Sequence, residues 1–154
     1  CVDPSTQLLY MDAVERQAKQ NKPHLIIISP INYPLDIDYE RLSEIAKSCG
    51  AILWCDISQN ASLIAAGAMK SPVPFADVVT FSSHGSMQGP QAAVILSTNK
   101  IANVIDRANQ TSGHRGLMTQ QLAALAMRMH EMSMPLHKEY ASFENLSFFL
   151  IVYP

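Results

Sequence analysis

Two stretches of this sequence carry side chains that could bind or transform a ligand. Asp56 ends an apolar run, where a carboxylate is costly unless it is paired or hydrogen-bonded. It is either a charge partner for a cofactor or base, or the cap of the next helix. Residues 82–86, with three serines and His84, follow another apolar run. Hydroxyl and backbone N–H groups there could hold a phosphate, and a plain polar turn is the alternative.

Other residue types that often carry chemistry do not form a recognisable set. His114, His130 and His137 do not predict a metal site, because Pro135 separates the last two and no HExxH pattern exists. The three cysteines lack any CxxC spacing, which argues against structural zinc and a disulfide framework and favours a reducing compartment. Cys55, inside an apolar run, is expected to be a packed thiol.

The elements that must position these side chains alternate between strand and helix. Strand-length apolar runs occupy residues 25–29, 52–56, 77–81 and 92–96. Helical patterns occupy residues 9–20, 38–48, 61–68, 101–108 and 118–134, the last ended by Pro135. This alternation predicts an α/β fold with a mostly parallel sheet flanked by helices.

Two expectations follow from that sheet. The run 25–29 is continuously apolar, so we expect this strand to be covered on both faces, and we expect 52–56 to be a buried strand as well. Ligands of such folds gather beyond the carboxyl ends of the strands. Residues 29–33, 56–59 and 82–85 should therefore lie near one another as one candidate site.

Composition narrows the class of protein. The 154 residues are 48% hydrophobic and 16% charged, which suits one domain with a real core and argues against disorder. A net charge of −2 gives no clear nucleic-acid signal, and no apolar run approaches a membrane span. The chain begins with Cys and stops after the apolar residues 146–152, so we interpret it as a segment of a longer protein. The methionines at 127, 129, 132 and 134 are expected to be core filler or an oligomer surface.

The order of motifs resembles serine hydroxymethyltransferase, a pyridoxal-phosphate enzyme. Residues 72–80 read PVPFADVVT, against PVPYADVVT in that family. Residues 56–67 read DISQNASLIAAG against DMAHxAGLVAAG, and residues 83–91 read SHGSMQGPQ against THKTLRGPR. VDPxT at residues 2–6 and KPxLII at residues 22–27 extend the likeness, which covers nearly the whole chain.

The resemblance implies a role for each matched position. Asp56 matches the aspartate that pairs with the pyridine nitrogen of the cofactor. Gln59 stands where the family has a histidine stacked on the ring, and Gly85 stands where it has the lysine of the internal aldimine. Glycine has no amine, so no Schiff base can form there. Asp56, Gln59, Ser83 and His84 are therefore expected to be a vestigial cofactor-binding set, with no catalytic residue.

Further departures fall on positions that touch the cofactor in the family. Ile31 replaces a serine, Gln91 replaces an arginine, and GHRG at 113–116 keeps little of a glycine-rich loop, while Tyr33 is retained. That GHRG stretch could touch an anion, although a solvated loop is the simpler interpretation. The frame residues of the motifs are intact. The six lysines are expected to lie on helices, their ends or loops away from the site: Lys19, Lys22, Lys47, Lys70, Lys100 and Lys138.

The resemblance thus predicts a pseudoenzyme, a structural or regulatory subunit with no resident cofactor and no metal. Its partner would be a second copy, an active paralogue or a larger assembly. The alternatives are an active transferase of one-carbon metabolism, moving a unit between serine and tetrahydrofolate, and a noncovalent pyridoxal-phosphate or phosphate-binding module. The family implies the large domain of a fold-type-I transferase. Residues 1–154 would be its central part, without the N-terminal arm or C-terminal small domain, in mitochondria or cytoplasm.

Overall fold

A four-stranded sheet organises the computed structural model, which describes residues 2–3, 6–31, 33, 35–111, 116 and 118–152, with side chains as far as residue 143. The strands are β1 (Leu25–Ile28), β2 (Ile52–Asp56), β3 (Val78–Ser82) and β4 (Ala93–Ser97), in the order β1-β2-β3-β4. The first three are parallel and β4 is antiparallel to β3. The predicted α/β fold with a mostly parallel sheet is confirmed.

Six α-helices accompany the sheet in the described part of the chain. They are α1 (Met11–Asn21), α2 (Tyr39–Cys49), α3 (Ala61–Ala65), α4 (Asn99–Thr111), α5 (Thr119–Met132) and α6 (Pro135–Val152). The Asp38 side chain caps α2 by accepting the Arg41 N–H, and Gly50 ends that helix with a left-handed backbone. Pro135 follows α5 as predicted and is itself the first residue of α6, a position that does not need its missing N–H.

One face of the sheet packs on helices and forms the core. Leu53, Cys55 and Val79 point to this side and are almost fully buried. Leu42 and Ala46 of α2 belong to the same cluster. Helices α1, α3 and α5 add Met11, Val14, Ala61, Ile64 and Met132. We call this side of the sheet the covered face.

The other side of the sheet carries the more exposed side chains, and we call it the open face. It carries Ile27, which is 56% exposed, and Ile95, which is 49% exposed, together with Leu25 and Ile52. The expectation that β1 is covered on both faces was wrong for this structure. The continuous apolar run shows that both faces of β1 are hydrophobic. The helices that precede and follow β1 in the sequence, α1 and α2, contribute to the core on only one of these faces.

The helices show where the four methionines lie and how far the later helices are buried. Met132 packs in the core, whereas Met127, Met129 and Met134 are exposed, so only one of the four methionines is core filler. Helix α4 is amphipathic, yet none of its side chains is buried. Across the helices that the structure describes, none has the length and apolar character needed to cross a bilayer.

Candidate functional site

The carboxyl ends of β2 and β3 bring two of the predicted segments together. The backbone N–H of Ile57 donates to the carbonyl of Thr80 at 2.8 Å, and the N–H of Ser82 donates to Ser58 Oγ at 3.1 Å. The hydroxyl of Ser86 donates to the Ser58 carbonyl at 3.1 Å. Of the three segments predicted to form one site, 56–59 and 82–85 are therefore joined by hydrogen bonds, whereas no such bond from 29–33 to either is among these contacts.

Asp56 lies at the centre of this edge, on the open face of the sheet. Its Oδ2 accepts the hydroxyl proton of Thr80 at 2.6 Å, and its Oδ1 accepts the backbone N–H of Ser58 at 3.2 Å. Thr80 Oγ1 in turn accepts the indole N–H of Trp54 at 2.9 Å. The half-buried carboxylate therefore has protein donors on both oxygens, as a charged group in such a place requires.

Sequence reasoning did not single out Trp54 or Thr80. Trp54 could have been identified from the sequence, because side chains two residues apart on a strand share a face and Trp54 is two residues before Asp56. Thr80 lies opposite Asp56 in the parallel pairing of β2 with β3. That register depends on the tertiary fold, so the sequence alone could not place the hydroxyl beside the carboxylate.

The segment after β3 forms a short 3-10 helix, Gly85–Met87, which we call the Gly85 turn. Gly85 has φ +79°, a left-handed conformation that favours glycine, and a Cβ built there would meet nothing within 4 Å. Gln88 follows with φ 53° and donates its N–H to the Gly85 carbonyl at 2.9 Å. The turn therefore has open space at Gly85 and a backbone that costs any other residue some strain.

The serine hydroxyls around this turn donate to main-chain carbonyls. Ser83 is fully buried, and its hydroxyl contacts the carbonyls of Pro90 and Ala92. Ser82 Oγ donates to the His84 carbonyl at 3.3 Å. Ser86 Oγ donates to the Ser58 carbonyl. The hydroxyls of Ser82, Ser83 and Ser86 are thus all hydrogen-bonded to nearby backbone carbonyls. The serines therefore stabilise the turn, as the polar-turn alternative predicts.

Two residues hold the Gly85 turn from outside. The Arg128 side chain of α5 donates from Nε to the Met87 carbonyl and pairs with Glu131 at 3.1 Å. Gly89 passes so close to the turn that a Cβ there would stand 2.7 Å from the Ser83 carbonyl oxygen. Its own N–H donates to the same oxygen at 2.7 Å. Glycine at 89 is thus required by close backbone approach, a reason that the sequence could not reveal.

The remaining predicted site residues lie around this centre. His84 and Gln59 have exposed side chains at the same edge, and Gln91 is exposed beyond the turn. Ile31 is exposed after β1, while the hydroxyl of Tyr33 donates to the Gln7 carbonyl at 3.3 Å. Residues 113–115 of the GHRG stretch lie outside the described residues.

Two other side chains considered from the sequence have structural surroundings. Cys55 is fully buried, and burial raises the pKa of its thiol to about 12, so the expected packed thiol is confirmed. His137 is buried where α6 meets α3, with Nε2 3.4 Å from both Ser62 Oγ and the Ser62 carbonyl oxygen. Within the described part of the chain, no cluster of His, Cys, Asp and Glu has the make-up of a metal site.

A mostly parallel α/β sheet with polar groups at its strand ends is consistent with the large domain of fold-type-I pyridoxal-phosphate transferases and is shared by other α/β folds. A model of the family described as serine hydroxymethyltransferase matches residues 1–142. That match covers most of the chain. The chain belongs to the serine hydroxymethyltransferase family.

Individual relatives agree with that assignment. The serine hydroxymethyltransferase of Coprothermobacter proteolyticus is 40% identical over 141 residues, which cover 92% of this chain and 34% of the relative. That of an Acidovorax species is 41% identical over 129 residues, covering 84% and 31% respectively. That of Prochlorococcus marinus is 38% identical over 141 residues, covering 91% and 34%. The chain thus spans about a third of the length of the curated relatives it matches.

Proposed function

We propose that this chain is a non-catalytic member of the serine hydroxymethyltransferase family that acts as a structural or regulatory partner in an assembly. Gly85 carries the proposal. By alignment of the SHGSMQGPQ stretch with THKTLRGPR, it stands at the position of the lysine that forms the covalent link to pyridoxal phosphate. A glycine offers no amine, so the covalent chemistry of the family has no starting group at this position.

The residues around Gly85 also do not fit the cofactor that the family uses. The ring-stacking position holds Gln59, which has no aromatic face. The hydroxyls of Ser82, Ser83 and Ser86 donate to backbone carbonyls rather than standing free as phosphate donors. Asp56, His84 and Tyr33 keep the residue types of their family counterparts, but the Tyr33 hydroxyl donates to the Gln7 carbonyl. A carboxylate and one exposed histidine do not replace the lost stacking and covalent partners.

The positions of the lysines support the same conclusion. Lys19 and Lys22 precede β1, and Lys47 precedes β2, so these three lie at the amino ends of the parallel strands. Lys100 is the second residue of α4 and follows β4. The end of β4 pairs with the beginning of β3, so Lys100 lies at the same edge of the sheet as the other three. Lys70 and Lys138 have exposed side chains. Four of the six lysines therefore lie at the edge opposite the site.

Borohydride trapping tests the loss of the covalent link. The full-length protein is incubated with pyridoxal phosphate, reduced, digested, and mapped by peptide mass spectrometry. The serine hydroxymethyltransferase of Coprothermobacter proteolyticus, treated in parallel, serves as the positive control. We expect only scattered labelling far below one adduct per chain. Stoichiometric labelling of one lysine, or conversion of serine to glycine at an appreciable rate, would overturn the proposal.

The open face of the sheet is where the proposed role in an assembly can be tested. Leu25, Ile27, Ile52 and Ile95 are exposed apolar side chains on this face, and such an area is a site for contact with a further segment of the same protein or with a partner. The test is sedimentation velocity of the full-length protein carrying Ile27→Asp with Ile95→Asp. We expect the assembled species to dissociate, whereas Asn103→Asp on the exposed side of α4 leaves it intact. A wild-type protein that sediments as a monomer at micromolar concentration and captures no partner would contradict this role.

A further inference from the structure

The hydrogen bonds around Asp56 have a direction that donor chemistry fixes. An indole N–H can only donate, so Thr80 Oγ1 must accept from Trp54. The single hydroxyl proton of Thr80 is then directed at Asp56 Oδ2, 2.6 Å away. The sequence of bonds runs from Trp54 through Thr80 to Asp56, and we call these three residues the relay.

The second carboxylate oxygen is also committed to the protein. Asp56 Oδ1 accepts the N–H of Ser58, and Ser58 Oγ accepts the N–H of Ser82. Both oxygens of Asp56 therefore stabilise the end of β2. Oδ1 binds Ser58, just beyond the strand, and Oδ2 binds Thr80 of the neighbouring β3. A carboxylate held in this way is stabilised without any ligand opposite it.

The positions that would surround a cofactor beside Asp56 are changed, because Gln59 and Gly85 stand where the family has its ring-stacking and covalent partners, whereas the bonds of Asp56 within the protein are complete. We propose that Asp56 in this chain is a structural residue, which closes the relay and holds the carboxyl ends of β2 and β3 together without a cofactor. The inference rests on the proposed function, because it assigns a new task to a carboxylate whose cofactor has been lost. Thr80 is its positioning residue, since its hydroxyl aims at the carboxylate from the neighbouring strand.

A double-mutant cycle on the full-length protein, measured as Tm without cofactor, tests the relay. We expect Asp56→Asn and Thr80→Val each to lower Tm by about 3 to 8 °C, the range for losing one charge-assisted hydrogen bond in a domain of this size. The double variant should fall little further than the worse single variant, because both remove the same interaction. Thr80→Ser should restore most of the loss. Thr111→Val, whose hydroxyl bonds only within α4, is the matched control.

Fluorescence provides a readout that general destabilisation would not move. Trp54 is the one tryptophan among these 154 residues, so the difference in emission between the wild type and a Thr80 variant reports the acceptor of its indole N–H. Thr80→Val should shift the emission maximum, and Thr80→Ser should return it. Unchanged Tm and unchanged emission in Asp56→Asn and Thr80→Val, or fully additive losses, would overturn the proposal.

A titration with pyridoxal phosphate separates this inference from the proposed function. We expect the Tm of the wild type to stay within about 1 °C at millimolar cofactor, with no saturable quenching of Trp54, because ligand binding to the folded state would raise Tm. A rise in Tm of the wild type that Asp56→Asn abolishes would mean that Asp56 faces a ligand, and the inference would fall. The proposed function would still stand in that case unless borohydride also trapped a lysine.

Discussion

The two faces of the sheet have similar composition and opposite surroundings. On the covered face, Leu53 is 1% exposed and Cys55 is fully buried against helices. On the open face, Ile52 of the same strand and Ile27 of the neighbouring β1 are substantially exposed. Hydrophobicity alone therefore does not tell which side of a strand holds the fold together in this chain. The difference lies in which helices pack there, and it separates buried residues that stabilise the domain from exposed residues that add little to its stability.

The polar relay lies on the open face and sharpens that contrast. Apolar side chains make up the part of this face near the amino ends of β1 and β2, whereas Asp56 and Thr80 lie at the carboxyl ends. The covered face has no comparable change along its strands. The open face therefore carries both the aspartate that matches the family and the apolar residues of the proposed contact.

The largest expected effect compares two neighbouring residues of β2. Leu53→Ala removes a buried side chain and should lower the free energy of unfolding by about 2 to 5 kcal/mol. Ile52→Ala, on the open face, should cost about 1 kcal/mol or less because that side chain is already partly in water. Urea denaturation of the two variants gives the comparison. Equal losses would mean that the open face is covered in solution.

A second prediction concerns the Gly85 turn, where β3 leaves the sheet. Gly89→Ala would put a methyl group 2.7 Å from the Ser83 carbonyl oxygen, and we expect a loss of about 2 kcal/mol because the backbone must shift. Gly85→Ala meets no neighbouring atom, so only the positive φ opposes it, and we expect it to lower the free energy of unfolding by about 1 kcal/mol. Chemical denaturation ranks the two. The reverse order would contradict the close approach at Gly89.

A third prediction uses the cysteines as probes of burial. Burial raises the pKa of the Cys55 thiol to about 12, whereas a thiol in the unfolded chain titrates near ~8.5. Between these values the unfolded state loses its proton first, so the stability is complete below pH ~8.5 and falls as pH rises toward 12. Cys55→Ala should flatten that fall. A flat stability profile in the wild type over this window would contradict the prediction.

The same thiols allow a direct test at neutral pH. An alkylating reagent should modify the partly exposed Cys49 in the native protein and reach Cys55 only on unfolding. Peptide mass spectrometry assigns each site. Early labelling of Cys55 would mean that the covered face opens locally, which the packing of α2 on β2 argues against.

The smallest expected effect is on the open face itself. Ile27→Thr keeps a β-branched side chain and removes apolar area that is already exposed, so the stability of the isolated domain should change by only about 0.5 kcal/mol. Denaturation of a dilute, dissociated sample is the relevant measurement. A loss as large as that of Leu53→Ala would erase the distinction between the two faces.

The local sequence pattern was sufficient to predict the helices and strands but not which elements pack or pair with one another. The bounds of β2 were predicted as 52–56, and the buried side of α2 followed from the spacing of Leu42, Ile45 and Ala46. The reversal of β4 was not foreseen, although its connection, residues 83–92, is shorter than the roughly dozen residues that a parallel crossover needs. The bare side of β1 was missed because an apolar run reports both faces alike.

At the site, the sequence indicated the edge of the sheet but not its bonding. Asp56 and Ser82–Ser86 were brought together because strand ends meet by topology. The partners of Asp56 were missed because Thr80 reaches it through strand register, 24 residues away along the chain. The anchoring of Met87 by Arg128 spans 41 residues and depends on where α5 packs, which no local pattern reports.

That anchor has a consequence for the order in which the chain can fold. The four described strands all end by residue 97, and the β3–β4 pair is local, so their pairing can form while later residues are still being synthesised. The contact from Arg128 to Met87 and the contact from His137 to Ser62, 75 residues apart, close much longer loops. The strand-end region therefore acquires its last supports only after α5 and the start of α6 have emerged and docked.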